Sequence, residues 1–291
     1  MNADAPVSRL PFRADLMAGK RVLVTGGGTG LGKAAAWRMA EAGARVVICG
    51  RREEILQATA TEIAQATGAE VLAMRCDIRD SAQVETLFDA IWESGPLDIL
   101  INNAAANFLA RTETLSTRAF DAIISIALSG NAYCVLAAGK RWIAAGRPGV
   151  ILNVLTTGAA GTGRAFTVPL SMAKAAMLVM TRSLAVEWGP KNIRLVGLAP
   201  GLFPTPGAWE QLFPEERVKA ADPLKSIPLG RYGRHDEFAD MCVFLTSDAA
   251  SYVNGDMITI DGARGIKGMD VDDLFTWNDA KWESMKQSRK R

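Results

Sequence analysis

The densest chemical signal in the chain is the run Thr25-Gly26-Gly27-Gly28-Thr29-Gly30-Leu31-Gly32. It follows an apolar, strand-like stretch, Arg21 to Val24, and leads directly into a helix-like stretch ending near Ala42. A glycine-rich turn between a strand and a helix lets main chain approach a pyrophosphate. The helix N-terminus then offers free N–H groups and a favourable dipole to that anion. Glycine patterns also build ordinary turns, so the flanking strand and helix are what give this one its meaning. Gly26, Thr29, Gly30, Leu31 and Gly32 are the expected contacts of a dinucleotide.

A second group of residues bears on which dinucleotide. About 20 residues past the glycine turn, where the second strand of such a unit meets the adenosine ribose, stands Cys49-Gly50-Arg51-Arg52. A carboxylate there favours a free 2′-hydroxyl, whereas arginine suits a 2′-phosphate. No acid competes before Glu53, and a guanidinium fork binds phosphate bidentately. Arg51 and Arg52 are alternatively solvated residues at a helix start, although cations there oppose the helix dipole. NADPH is the expected cofactor. Asp77 ends the third strand-like run and either meets the adenine or caps the next helix; Ile78 follows it as a further expected contact.

These residues need a scaffold, and the apolar pattern supplies one. Strand-like runs at 22–24, 44–49, 70–75, 97–101, 150–155, 193–198 and 257–260 alternate with helix-like runs at 53–66, 81–92, 118–145, 171–188 and 237–246. Strands separated by helices imply βαβ units, and continuous apolar strands imply a sheet covered on both faces. The expected fold is α/β, a Rossmann-type doubly wound parallel sheet in a single domain. Residues 1–17 read as a lead-in, 18–263 as the domain and 264–291 as a C-terminal extension. The proline-rich stretch 201–228 reads as a loop covering the substrate.

Bulk properties remove several function classes. A chain of 291 residues that is 49% hydrophobic can bury a large core. Its net charge of +2 is spread out, which gives no case for nucleic acid or a membrane surface as partner. Four cysteines, Cys49, Cys76, Cys134 and Cys242, lie far apart, and His235 is the single histidine, so no metal site is expected. The N-terminus lacks the order of a secretory signal, and no apolar run reads as long enough to span a bilayer. A cytoplasmic protein with buried thiols is the expectation.

Over about Lys20 to Gly262 the chain resembles the short-chain dehydrogenase/reductases. The shared marks are Thr25-Gly26-x-x-x-Gly30-x-Gly32, Asn102-Asn103-Ala104, Pro200-Gly201 with Thr205, and Asp261-Gly262. The resemblance implies seven parallel strands, Asn103 and Ala104 lining the cofactor, Pro200 and Gly201 as further cofactor contacts, and Thr205 at its nicotinamide end. It also implies an assembly, commonly a homotetramer. The family's usual catalysts are Asn, Ser, Tyr and Lys. Lys174 matches, but the Tyr position holds Leu170, the Ser position Thr157 and the Asn position Ala127. Leucine cannot donate a proton, so ketone–alcohol interconversion by the usual route is not expected. The three tyrosines, Tyr133, Tyr232 and Tyr252, fall elsewhere and read as packing residues.

A branch of that family, the NADPH-dependent 2,4-dienoyl-CoA reductases, is similar over nearly the whole chain. It shares Gly26 to Lys33, Asn102-Asn103-Ala104-Ala105-Ala106-Asn107-Phe108, Glu187-Trp188-Gly189, Thr205-Pro206-Gly207-Ala208-Trp209 and the region Trp277–Trp282. The resemblance implies reduction of a conjugated acyl-CoA thioester, with negative charge developing on the thioester oxygen as a dienolate. Donors aimed at that oxygen lower the barrier. Asn107 matches the branch's donor, and Lys174 would hold ribose and add positive potential. Thr157 is either a second donor or a structural cap. The branch's tyrosine before the helix and its acid at the Ala127 position are both absent here. Two other functions stay open at this point: reduction of another activated alkene or carbonyl, and cofactor binding with little catalysis.

Overall fold

The computed structural model describes residues 11–160, 163–205, 222–266, 274 and 277–288. Seven strands form one sheet: β1 Arg21–Thr25, β2 Arg45–Gly50, β3 Val71–Arg75, β4 Ile99–Asn102, β5 Gly149–Val154, β6 Ile193–Pro200 and β7 Met257–Ile260. All six pairings are parallel, in the order β3-β2-β1-β4-β5-β6-β7. The single-domain, doubly wound sheet read from the sequence is therefore the observed one. The order reverses between β1 and β4, and the crevice beyond the carboxyl ends of those strands is where such sheets bind ligands.

Helices α1 Gly30–Glu41, α2 Glu53–Thr67, α3 Ser81–Glu93, α4 Thr117–Ile124, α5 Asn131–Ala144, α6 Val168–Trp188, α7 His235–Thr246 and α8 Asp279–Ser288 follow in chain order. One apolar core, including Val22, Val24, Ile99, Val196 and Phe238, lies under α1 and α7. Another, including Leu23, Leu100, Phe88 and Trp142, lies under α3 and α5. Buried Arg38 on α1 pairs with Glu41 and with Asp240 of α7, clamping the two helices. Met17 is buried and its N–H donates to Ala42 O at 2.8 Å, so the lead-in is fastened to the domain. All four cysteines are free and buried, and burial pushes the Cys76 thiol up to about 11.

Several readings are corrected. The stretch 118–145 is helical throughout, but a π-helical turn, Ser125–Gly130, separates α4 from α5. Side-chain period alone does not register one extra residue in a turn. Thr117–Ala144 is also long and apolar enough to cross a membrane, contrary to the sequence reading. Half of that window is buried, and the helix packs on the sheet as a core element. Asp77 does not cap α3. Asp80 does so, accepting from Ala82 N and Gln83 N, while Asp77 pairs with Arg79. Tyr252 is fully exposed and is no packing residue, whereas Tyr133 packs on the core under α5.

Candidate active site

The glycine turn is shaped by contacts that only glycine permits. A Cβ on Gly32 would sit 2.3 Å from Gly26 O and 2.5 Å from Asn103 Nδ2; one on Gly27 would sit 2.6 Å from the Ile48 side chain. Gly26 and Gly30 take positive φ, 67° and 56°. Thr29 is the N-cap of α1, yet its side chain makes no capping bond. The first N–H groups of α1 thus receive no side-chain cap from Thr29, and such N–H groups are the kind that can meet an anion.

The loop after β4 braces this turn. Asn103 Nδ2 donates to Thr25 O at 3.0 Å and to Gly26 O at 3.4 Å, while the N–H groups of Asn103 and Ala104 donate to Thr25 Oγ1. Asn103 therefore holds the turn's shape, and Ala104 lies against Gly26. Thr25 is a working residue that the sequence reading quoted without a role. Its signal was a hydroxyl at the carboxyl end of β1. On the far side of the turn, Thr205 approaches Gly30, with its Cγ2 3.2 Å from where a Cβ would stand. Pro200 closes β6, and Gly201 N donates to Ile260 O. His235 Nε2 lies 2.7 Å from Pro204 O and fixes this loop.

Arg51 and Arg52 stand exposed at the end of β2, Arg52 as the N-cap of α2. The Arg79 guanidinium holds the Asp77 carboxyl below its usual range, with a smaller contribution from the charge on Arg51. Two residues expected on the cofactor therefore share one electrostatic neighbourhood at the sheet's edge. Ile78 is buried, and its side chain lies against Gly130 of the π-helical turn.

Lys174 and Leu170 lie one turn apart on α6, on the same face. Lys174 is buried, 2% exposed, and Nζ donates to Val154 O at the end of β5, at 2.6 Å. Removal from water pushes its ammonium down to about 8. Thr157, three residues beyond Val154, is half-buried in a short 3₁₀ turn, Thr157–Ala160. Its side chain faces Gly265, so the segment after β7 reaches the site. Arg264 Nε donates to Ser226 Oγ, fastening that segment to the end of the 201–228 stretch. Residues 206–221, including Pro206 to Trp209, lie outside the described residues.

Where the family's tyrosine and asparagine would stand, the side chains are apolar and packed. Leu170, Ala127, Ile123 and Ala173 form one buried cluster, flanked by Phe108. Asn107 opens onto a cleft walled by Phe108, Leu115, Ile123, Phe166 and Leu170. The structure thus brings Asn107 and Leu170 together across one cleft, although 63 residues separate them in the chain. It also shows a polar chain that sequence reading missed. Asn131 Nδ2 donates to Ala104 O, Ile126 O and Ala127 O, each at 3.1 Å. Asn102 Nδ2 bonds Asn131 O and Asn153 Oδ1, and Asn153 reaches Thr181 on α6. This buried network ties the cofactor-side loop to the π-helical turn and to the helix bearing Lys174. No metal-binding cluster occurs among the described residues.

The lysine makes a pH prediction. If the ammonium of Lys174 supports turnover, kcat/KM should fall as pH rises through about 8. The folded pKa lies below the unfolded 10.5, so between the two values the unfolded chain holds a proton that the folded chain lacks. Stability from this group therefore rises with pH across that window, opposite to activity. Rates and urea midpoints measured in one buffer series check both slopes; parallel slopes would refute the assignment.

Comparison with known proteins places the site in context. Residues 26–263 match the family described as enoyl-(acyl carrier protein) reductase. A Bacillus subtilis protein named a probable 2,4-dienoyl-CoA reductase is 44% identical over 84% of this chain and 96% of that relative. A Caenorhabditis elegans protein named a probable 2,4-dienoyl-CoA reductase is 40% identical, over 95% and 92%. Among solved structures, a short chain dehydrogenase from Bacillus anthracis superposes with a TM-score of 0.76 at 40% identity, covering 84% of this chain and 96% of that one. Levodione reductase superposes with a TM-score of 0.81 at 34% identity, covering 87% and 100%.

Proposed function

The chain belongs to the short-chain dehydrogenase/reductase family of nicotinamide-dependent oxidoreductases, and we propose that it is an NADPH-dependent reductase of conjugated unsaturated acyl-CoA thioesters. The observation that carries this reading is the shared cleft of an amide donor, Asn107, and an apolar wall at Leu170. A carbonyl reductase needs an acid at the Leu170 position. A reductase of a conjugated thioester needs donors at the oxygen where charge develops, and carbon can take its proton from water. The names of the Bacillus subtilis and Caenorhabditis elegans relatives support the same substrate class.

Bound NADPH supplies the hydride. The glycine turn with Thr29 and Leu31, together with Arg51, Arg52, Asp77 and Ile78, binds and orients the cofactor. Asn103 and Ala104 brace that turn, and Pro200, Gly201 and Thr205 flank the nicotinamide end. Asn107 donates its amide N–H to the thioester oxygen as the dienolate forms, and the Thr157 hydroxyl gives a second donor. Lys174 holds the nicotinamide ribose and keeps positive potential beneath the site. Arg51 at the end of β2 is the contact that selects the 2′-phosphate. The domain at 18–263, the covering loop at 201–228 and the extension at 264–291 belong to this reading, as does a cytoplasmic homotetramer, which sedimentation analysis would check.

The test is NADPH consumption with 2,4-hexadienoyl-CoA, with NADH as the comparison. Turnover preferring NADPH is expected; tight NADPH binding without turnover on any unsaturated thioester would return the protein to a cofactor-binding role. Asn107→Ala should lower kcat/KM by about one to two orders of magnitude, the loss of one donor to a developing oxyanion. An unchanged rate would remove Asn107 from the mechanism.

A further inference from the structure

Helix α2 carries a hydroxyl that departs from the pattern of the chain's other helical threonines. A threonine within a helix commonly turns its hydroxyl back onto the carbonyl of the preceding turn. Thr67, Thr86, Thr181 and Thr246 do this, donating to Ile63 O, Ala82 O, Met177 O and Cys242 O at 2.8 to 3.0 Å. Thr59 instead reaches out of its own helix and donates to Gly28 O in the glycine turn, at 2.9 Å. It is buried, 4% exposed, and stands between Ala58 and Ala60, so a β-branched residue gives up helix propensity at this place.

The same face of α2 lies on the turn at two further points. A Cβ on Gly28 would stand 3.2 Å from Leu56 Cδ2 and 3.4 Å from Ile55 Cγ2, so the turn runs close beneath the helix. Glu62 pairs with Lys33 in the first turn of α1 at 2.5 Å. Leu56, Thr59 and Glu62 follow one another at i, i+3 spacing and share one helix face. Between its apolar contact and its ion pair, that face makes one directional bond to the turn, and Thr59 makes it.

The value of that bond lies in the peptide plane. No peptide is cis among the described residues, so the Gly28 carbonyl and the Thr29 N–H point in opposite directions. Holding Gly28 O against α2 turns the Thr29 N–H away from α2 and keeps a carbonyl dipole off an anion on that other side. Gly26-Gly27-Gly28 has no side chain to fix this orientation, and glycine makes others accessible. We propose that Thr59 is a positioning residue for the dinucleotide, its hydroxyl latching the Gly28–Thr29 peptide in the orientation that receives the pyrophosphate. The inference rests on the cofactor site described above and is independent of the acyl substrate.

The experiment measures NADPH binding to the full chain by calorimetry, with no substrate and no turnover. Thr59→Val keeps the side chain's shape and removes the donor. Affinity then falls with the fraction of turns still held in the receptive orientation, and a hydrogen bond of ordinary strength makes the loss about tenfold. Thr59→Ser returns the hydroxyl and should restore affinity to within about twofold of the unaltered chain. Thr67→Val removes a comparable bond at the far end of the same helix; it should lower the melting temperature and leave NADPH affinity within about twofold. Combined with Arg51→Ala, the loss from Thr59→Val should multiply, because the pyrophosphate and the 2′-phosphate are held at separate places. Unchanged affinity in Thr59→Val, no rescue by serine, an equal loss in Thr67→Val, or no further loss in the Arg51→Ala background would each overturn the latch alone. An unaltered chain that binds no NADPH would overturn it together with the cofactor reading.

Discussion

Replacing Lys174 by methionine should abolish useful turnover while leaving the protein at least as stable as before. The ammonium is 2% exposed and holds Val154 O at 2.6 Å. Burial brings its pKa from 10.5 to about 8, a depression equivalent to on the order of 3 kcal/mol of folding free energy spent on keeping it charged below pH 8. Methionine has similar length and no charge, so that cost disappears. Against it stands the Val154 carbonyl, which loses its donor at a cost of about 1–3 kcal/mol. The two terms leave a net change between about zero and 2 kcal/mol in favour of the variant. Activity should fall about a thousandfold, since a positive charge in a water-excluded site has no substitute there. Steady-state rates and thermal melts on the same preparation check this. A variant that loses stability and activity together would make Lys174 a structural residue.

Gly32→Ala should eliminate cofactor binding by a different route. The new Cβ would stand 2.3 Å from Gly26 O and 2.5 Å from Asn103 Nδ2. Neither atom belongs to a flexible side-chain end that can yield. Gly26 O is main chain, and Asn103 Nδ2 is itself bonded to Thr25 O and Gly26 O. Relief therefore requires the glycine turn to open away from β4, which removes the anion cradle and strips the brace from the loop leading to Asn107. NADPH affinity should weaken by at least about a hundredfold, or about 3 kcal/mol, with a lowered melting temperature. Gly189→Ala is the matched control. Gly189 has helical φ and ψ, and its nearest atom is Asn254 Nδ2 at 3.7 Å, so this change should be nearly silent. Fluorescence titration with NADPH separates the two; equal effects would show that crowding at Gly32 is not the cause.

The asymmetry between these two positions shows what was legible in advance. Gly32 announced itself through local spacing, because a turn between a strand and a helix is made by neighbours in the chain. The order of strands and helices was legible for the same reason: runs of apolar residues separated by helical periods can only form a sheet covered on both faces. Counting along the chain likewise puts Arg51 at the end of β2, where the structure has it exposed. The π-helical turn at Ser125–Gly130 was not legible, since an added residue in a helix leaves its overall apolar character unchanged. Asp80 displaced Asp77 as the cap of α3 because capping depends on where the helix begins, and sequence locates that only to within a few residues.

Sequence alone was enough for the parallel α/β sheet, the dinucleotide turn and the absence of a tyrosine four residues before Lys174. Each is written in composition or short-range spacing. Tertiary structure alone decided what replaced that tyrosine. Leu170, Ile123 and Ala127 come from two separate helical stretches, and nothing local says that they pack into one buried cluster, or that Leu170 and Ile123 line the cleft that Asn107 opens onto. It also decided that Asn103 shapes the turn, that Thr205 meets Gly30 and that Thr157 lies against the segment after β7. The physical reason is common to all of them. A cleft is built from side chains whose proximity is created by the packing of elements far apart in the chain, and the energy that fixes it is the burial of surfaces that become neighbours only once the sheet has formed.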